Sequence, residues 1–145
     1  MTSPLVRVAW SVSAVFMGLS GLHAYWAFGG HRGTKAAIPH LDGEPLFQPG
    51  PGATLVVALL LGVAAAVVLE RAGIGPGIFP PIVSHWGAWG VAIVLVGRAV
   101  GEFRYVGLFK TQRDTSFARM DTRLYSPLAL ALGVGAGLVA WGGTR

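Results

Sequence analysis

The chain has 145 residues, of which 53% are hydrophobic and only 12% charged, with 22 glycines and no cysteine. An ordinary soluble domain is roughly 25% charged, so too little polar surface exists to wrap a water-soluble globule, and the missing cysteines exclude disulfides, thiolate metal sites and cysteine nucleophiles. The formal charge is +5, and six of the 11 basic residues fall between Arg98 and Arg123, a cluster pinned between apolar runs that suits an anionic membrane face and argues against nucleic acid as a partner.

Four intervals hold no Asp, Glu, Lys or Arg: Val8 to His31, Pro45 to Leu69, Ala72 to Gly97, and Leu124 to Thr144. A bilayer core of about 30 Å needs roughly 20 helical residues, because each residue rises 1.5 Å and every backbone amide must be satisfied within the segment. The expectation is an all-α, integral membrane four-helix bundle with a longer first loop and a basic third loop, forming one domain over residues 1–145. Its helices are expected near residues 5–28, 53–71, 82–105 and 122–142.

The first run has Arg7 ahead of it, and Ala27-Phe28-Gly29 near its end loosely fits a signal cleavage site. Trp10, His23, Tyr25 and Trp26 fit an interfacial aromatic belt better, and the run is expected to be retained as a helix. The loop that follows, residues 29–52, contains His31, Arg32, Lys35, His40, Asp42 and Glu44. Asp42-Gly43 stands where a tight hairpin turn would go, although Pro39 and Pro45 oppose regular strand pairing in its arms. Between the second and third helices, Glu70 to Pro81 is a short turn rich in glycine and proline.

Gly97/Gly101 and Gly133/Gly137 have small-xxx-small spacing, which lets helices approach closely in lipid. Packing within the bundle is one use for these faces; a homo-oligomer or a membrane-protein partner is the other. Basic residues set the expected orientation. The first and third loops carry Arg32, Lys35, Arg104, Lys110, Arg113, Arg119 and Arg123, seven against three (Arg7, Arg71, Arg145) on the opposite side. That difference puts the two loops in the cytoplasm and both termini outside, with a bacterial inner membrane as the expected location.

Alternating direction brings the end of helix one, the end of helix three and the start of helix four to one boundary. The candidate ligand-binding residues gathered there are His23, Tyr25, Trp26, Arg98, Glu102, Arg104, Tyr105, Lys110, Asp121 and Tyr125. Arg98 lies about 24 Å along its apolar run by helix rise, a depth at which charges face the bundle or a wet cavity. Glu102 is four residues on and is expected to pair with it. The pair reads either as a ligand, proton or ion site or as a structural lock with Arg98 snorkelling to the interface. Asp121 reads first as the N-cap of helix four, and Pro127 should bend that helix and free carbonyls near Tyr125. His23 and His85 lie at opposite faces, and His31 and His40 lack ligand spacing, so neither a metal nor another cofactor is expected. No phosphate loop, nucleophile elbow or HExxH stands in the sequence.

Three segments, His23-Ala-Tyr-Trp-Ala-Phe-Gly-Gly30, Gly101-Glu-Phe-Arg-Tyr-Val-Gly-Leu-Phe-Lys110 and Asp121-Thr-Arg-Leu-Tyr-Ser-Pro-Leu128, resemble the small bacterial membrane proteins grouped as domain of unknown function 3995. The likeness covers nearly the whole chain, including the Pro-Gly-Pro entry to helix two at Pro49 to Gly52. It implies a multi-pass membrane protein and brings no assigned activity and no catalytic residues.

The leading functional expectation is a polar pocket at the cytoplasmic boundary that binds a lipid headgroup or small anionic amphiphile. Arg98, Arg104 and Lys110 would supply charge, Glu102 would orient an arginine, and Tyr25, Trp26 and Tyr125 would form walls. Two other classes remain open: a membrane enzyme with Glu102 or His23 as acid or base, and an accessory or assembly subunit of a membrane complex. Beside arginines, Glu102 is favoured as an orienter over a base.

Overall fold

A computed structural model describes residues 3–41 and 43–143. In chain order the elements are α1 (Pro4–Ala27), α2 (Thr34–Ala37), β1 (His40–Leu41), β2 (Glu44–Pro45), α3 (Pro51–Arg71), α4 (Pro81–Val100), α5 (Ser116–Met120), a π-helical turn (Asp121–Tyr125) and α6 (Ser126–Gly142). The chain is all-α apart from the two short strands. Four helical segments are long and apolar enough to cross a membrane: α1, α3, α4, and the run Ser116–Gly142 formed by α5, the π turn and α6.

Proline marks the start of three spans. Pro4, Pro51 and Pro81 each occupy the first turn of a helix, where the missing N–H has no intrahelical partner to lose. The Ser3 hydroxyl also accepts the Val6 N–H at 3.2 Å and caps α1. The fourth span begins at Ser116, ahead of the expected residue 122, because Thr115 is its N-cap and accepts the Ala118 N–H at 3.0 Å.

α1 packs along α3 and α4 along α6, with shorter contacts from α3 to α4 and from α1 to α6. Small side chains dominate the interior: Ala9, Ala65, Ala72, Ala92 and Ala136 surround Val12, Phe16, Val68, Leu132 and Val139. Lipid tails are as apolar as these side chains, so close van der Waals packing and interhelical hydrogen bonds must supply the association. Two such bonds join α1 to α3, from Ser13 Oγ to the Ala65 carbonyl (3.0 Å) and from Ser20 Oγ to the Ala58 carbonyl (2.7 Å). Large apolar residues including Leu59, Leu60, Ile93, Val94 and Trp141 point outward, as a lipid-facing surface requires.

The two glycine pairs have different fates. A Cβ at Gly133 would lie 3.0 Å from Val96 and 3.1 Å from the Ala92 carbonyl, so this residue sets the α4–α6 approach, and Gly137 faces Ala92 beside it. Gly97 faces open space, and Gly101 is no longer helical. The Gly97/Gly101 pair is therefore not a packing face of this bundle. α4 ends at Val100, five residues short of the expected residue 105, because Gly101 turns out of the helix with φ 86° and ψ −176°, a conformation that L side chains avoid.

In the first loop, β1 and β2 pair antiparallel with His40 opposite Pro45 and Leu41 opposite Glu44. The Leu46 N–H closes the hairpin on the Pro39 carbonyl at 2.9 Å. Gly43 has φ 88°, as a tight turn requires; its expected neighbour in that turn, Asp42, lies outside the described residues. Prolines at 39 and 45 hold the ladder to two residues a side.

Replacing Gly135 with valine tests the packing, since a Cβ there would sit 2.6 Å from Val12 Cγ2. We expect a loss of about 1–3 kcal/mol on thermal unfolding in mild detergent, against a change within about 0.5 kcal/mol for Gly97→Val at the open position.

Candidate functional site at the basic end of the bundle

The ends of α1 and α4 and the start of the fourth span meet at one end of the molecule, together with the first and third loops. Trp26 Nε1 donates to the Arg32 carbonyl at 2.8 Å, folding the first loop back over α1. The Tyr25 ring fills the space beside Gly30. α2 of the first loop touches α5 of the third.

At the centre is Asp121, which is fully buried and uses both carboxylate oxygens. Arg98 Nη2 donates to Oδ1 at 2.7 Å; the Gly107 N–H (2.8 Å) and Lys110 Nζ (3.0 Å) donate to Oδ2. Lys110 is 1% exposed, and its three protons are all spent, the other two on the Gly107 carbonyl (2.9 Å) and Thr122 Oγ1 (2.6 Å). A carboxylate removed from water needs this much compensation, because burying an ion costs several kcal/mol unless charge and hydrogen bonds replace its hydration. Arg98 is less enclosed, with its side chain 34% exposed, and its Nη1 is buried without a hydrogen-bond partner among the described residues.

The loop from Gly101 to Lys110 is shaped around that carboxylate. Gly101 and Gly107 both have positive φ and press backbone to backbone, so neither position has space for a Cβ. The Leu108 N–H reaches the Ala99 carbonyl at 2.8 Å. Glu102 accepts the backbone N–H groups of Tyr105 and of Val106. Thus Arg98 does not pair with Glu102 as expected. With α4 ending at Val100, the two residues no longer share a helical face four apart, and Arg98 turns to Asp121, 23 residues away.

Asp121 is not an N-cap either. It lies within a continuous helical run, at the first position of the π turn, whose last bond goes from the Ser126 N–H to the Asp121 carbonyl. The expected disturbance by Pro127 takes this form: proline lacks the N–H that would continue an i→i−4 ladder, and the wider π turn just before it absorbs the mismatch.

The other expected site residues are dispersed. Arg104 is exposed with its guanidinium 5.0 Å from the Tyr105 ring. Tyr125 is half-buried beside Phe117. His23 and Trp26 stand edge to face with centroids 5.1 Å apart and line a separate opening. This opening, about 730 Å³, lies between the end of α1, the first loop and the start of α3. His31, Lys35, His40, Phe47 and Thr54 also line it. None of those five was among the expected site residues; the basic and histidine content of residues 31–40 was the one sequence signal, and it lacks a recognisable spacing. Among the described residues, no group of three or more His, Asp or Glu is arranged to hold a metal.

Four apolar spans with charges confined to their ends define a multi-pass α-helical membrane protein. The chain belongs to the family described as "Protein of unknown function (DUF3995)", whose model matches residues 4–136. No curated protein and no solved structure matches it.

Substituting Asp121 by alanine leaves Lys110 and Arg98 without their counter-charge. We expect a loss of about 3–5 kcal/mol for the buried pair, seen as a lowered detergent melting temperature, and a loss below about 1 kcal/mol for Glu102→Gln, whose amide oxygen still accepts. The reverse order would mean that Glu102 is the arginine's true partner.

Proposed function

We propose that this membrane protein binds a lipid headgroup or small anionic amphiphile at the cytoplasmic boundary of a bacterial inner membrane, in the opening between α1, the first loop and α3. What supports this reading is the make-up of that opening. Its volume lies within the roughly 300–1,000 Å³ of small-molecule sites, and it joins an apolar wall of Trp26, Phe47 and Val57 to Lys35 and three histidines. An amphiphile needs that division: apolar surface for its chain and positive charge for its head.

Arg98 and Lys110 take a different part from the one expected of them. Lys110 spends its protons on Asp121, Gly107 and Thr122, and Arg98 donates to Asp121 through Nη2, so both brace the end of the bundle on which the opening stands. The exposed Arg104, Arg113, Arg119 and Arg123 add a positive field at the same end, which draws anions without fixing their position. A catalytic role for Glu102 has little support, because its side chain is exposed and its Oε1 accepts two backbone N–H groups that tie it into the third loop.

Binding is tested by the fraction of spin-labelled phosphatidylglycerol immobilised by the protein in phosphatidylcholine bilayers. Lys35→Gln removes the head's charge partner, and Val57→Trp fills the wall. Each is expected to weaken the preference for the anionic lipid by roughly fivefold or more, whereas Arg104→Ala changes it less than about twofold. Unaltered binding in both folded variants would rule the opening out.

The orientation is tested separately. Single cysteines introduced at Lys35 and Arg113 should react with a membrane-impermeant thiol reagent only from the cytoplasmic side, in inverted but not right-side-out vesicles. Labelling of the two from opposite sides would remove the shared boundary.

A further inference from the structure

The titratable side chains among the described lining of this opening are all bases. α1 contributes His23, the turn after it His31, α2 Lys35 and β1 His40. α3 contributes Pro51, Ala53, Thr54 and Val57, none of which titrates; its Glu70 and Arg71 are at the far end of the helix. Glu44 on β2 is exposed and outside the lining, and Arg32 is likewise exposed, with its carbonyl taken by Trp26.

Two of the rings are fixed by backbone. His23 Nδ1 is 2.8 Å from the Leu19 carbonyl oxygen, and His40 Nδ1 is 2.7 Å from that of Ile38. A carbonyl oxygen only accepts, so Nδ1 carries the hydrogen in both rings. In the neutral imidazole, Nε2 is then a bare lone pair. Protonation adds a hydrogen there and leaves the Nδ1–H bond intact, so neither ring has to move. The change is confined to the one nitrogen not tied to the backbone, which switches from acceptor to charged donor.

An anionic oxygen has only lone pairs to offer. It is repelled by a neutral Nε2 and held by a protonated one through a charge-assisted hydrogen bond. A neutral hydroxyl-bearing ligand would instead donate to the neutral ring, and acidification would take that bond away. The sign of the pH dependence therefore reports the class of ligand.

We propose that the opening takes a phosphate-type anion, carried by the headgroup of an anionic phospholipid, and that protonation of His23 and His40 at Nε2 tightens its hold as pH falls. The inference rests on the amphiphile-binding reading above and adds both the chemical class of the head and its control. Lys35 supplies a basal attraction on the alkaline side.

The test uses the full chain in phosphatidylcholine bilayers with spin-labelled phosphatidylglycerol, whose own charge is constant over this range. Preference for phosphatidylglycerol over phosphatidylcholine is read at about pH 7.5 and about pH 5.5, where we expect a roughly tenfold rise on acidification. The variants are His23→Asn and His40→Asn, singly and together. Asparagine keeps an amide donor near the Nδ1 position, so the local carbonyl bond survives and only the titrating atom is lost. The double variant should retain the alkaline preference and lose most of the rise, while His85→Asn, at the other end of the bundle, should keep it. A phosphatidylglycerol preference that does not vary with pH, or that rises equally in the double variant, overturns the proposal and leaves the amphiphile reading standing. A preference that falls on acidification overturns it in favour of a hydroxyl-bearing ligand, and displacement of the lipid by millimolar inorganic phosphate overturns the headgroup as the source of the anion. No preference at either pH removes both readings.

Discussion

A buried carboxylate with two cations on it organises the basic end of this molecule. In a low-dielectric setting Asp121 is tolerable only because Arg98 and Lys110 both reach it and the Gly107 N–H completes its coordination. Each donor comes from a different place: the last turn of α4, the third loop, and that loop's glycine turn. Desolvation is thus converted into a geometric requirement, because the carboxylate stays compensated only when all three are in position. The positive φ of Gly101 and Gly107 serves the same requirement. Continuing α4 as a helix would carry the chain away from Asp121 and leave Lys110 with nothing to neutralise.

The far end of the bundle solves its own version of the problem. Glu70 is buried and accepts the N–H groups of Gly77 (2.8 Å) and Ile78 (2.9 Å), tying down the turn before α4. Arg71 donates through Nε and Nη2 to the Ala140 carbonyl at 3.1 and 2.9 Å, covering an acceptor at the end of α6 where the helix has no further N–H to offer. At both ends, charged side chains replace the water that helix termini and turns would otherwise need. Between the ends, the spans rely on alanine, glycine and serine contacts.

How much of this was legible in the sequence follows from the range of each interaction. The four spans could be read from charge-free length because that property is local to each segment. The ends of α4 and of the fourth span could not, since they depend on one glycine's φ and on a threonine cap seven residues before the expected start. Arg98 illustrates the limit well. Glu102 at four residues looked the natural partner, and Asp121 at 23 residues was available only once Gly101 had broken the helix. For the same reason the sequence presents the third loop's Lys110 as an open cation. The opening between α1 and α3 was the least legible feature, because it is a space left between elements and its basic lining follows neither helical nor strand periodicity.

The two halves of the basic end consequently differ in how firmly they are held. Around Asp121 the ties are ionic, buried and mutually dependent, so that part resists local opening. Over α1 and α3 the ties of the first loop among the described residues include an indole-to-carbonyl bond, a two-residue strand pair and a four-residue helix that touches α5. Segments with few buried contacts sit at the low end of a protein's local stability, and a first loop of that kind suits the binding role proposed for the opening. On the binding reading proposed above, the clamp would hold α4 and α6 in place while the more lightly tied first loop admits the ligand.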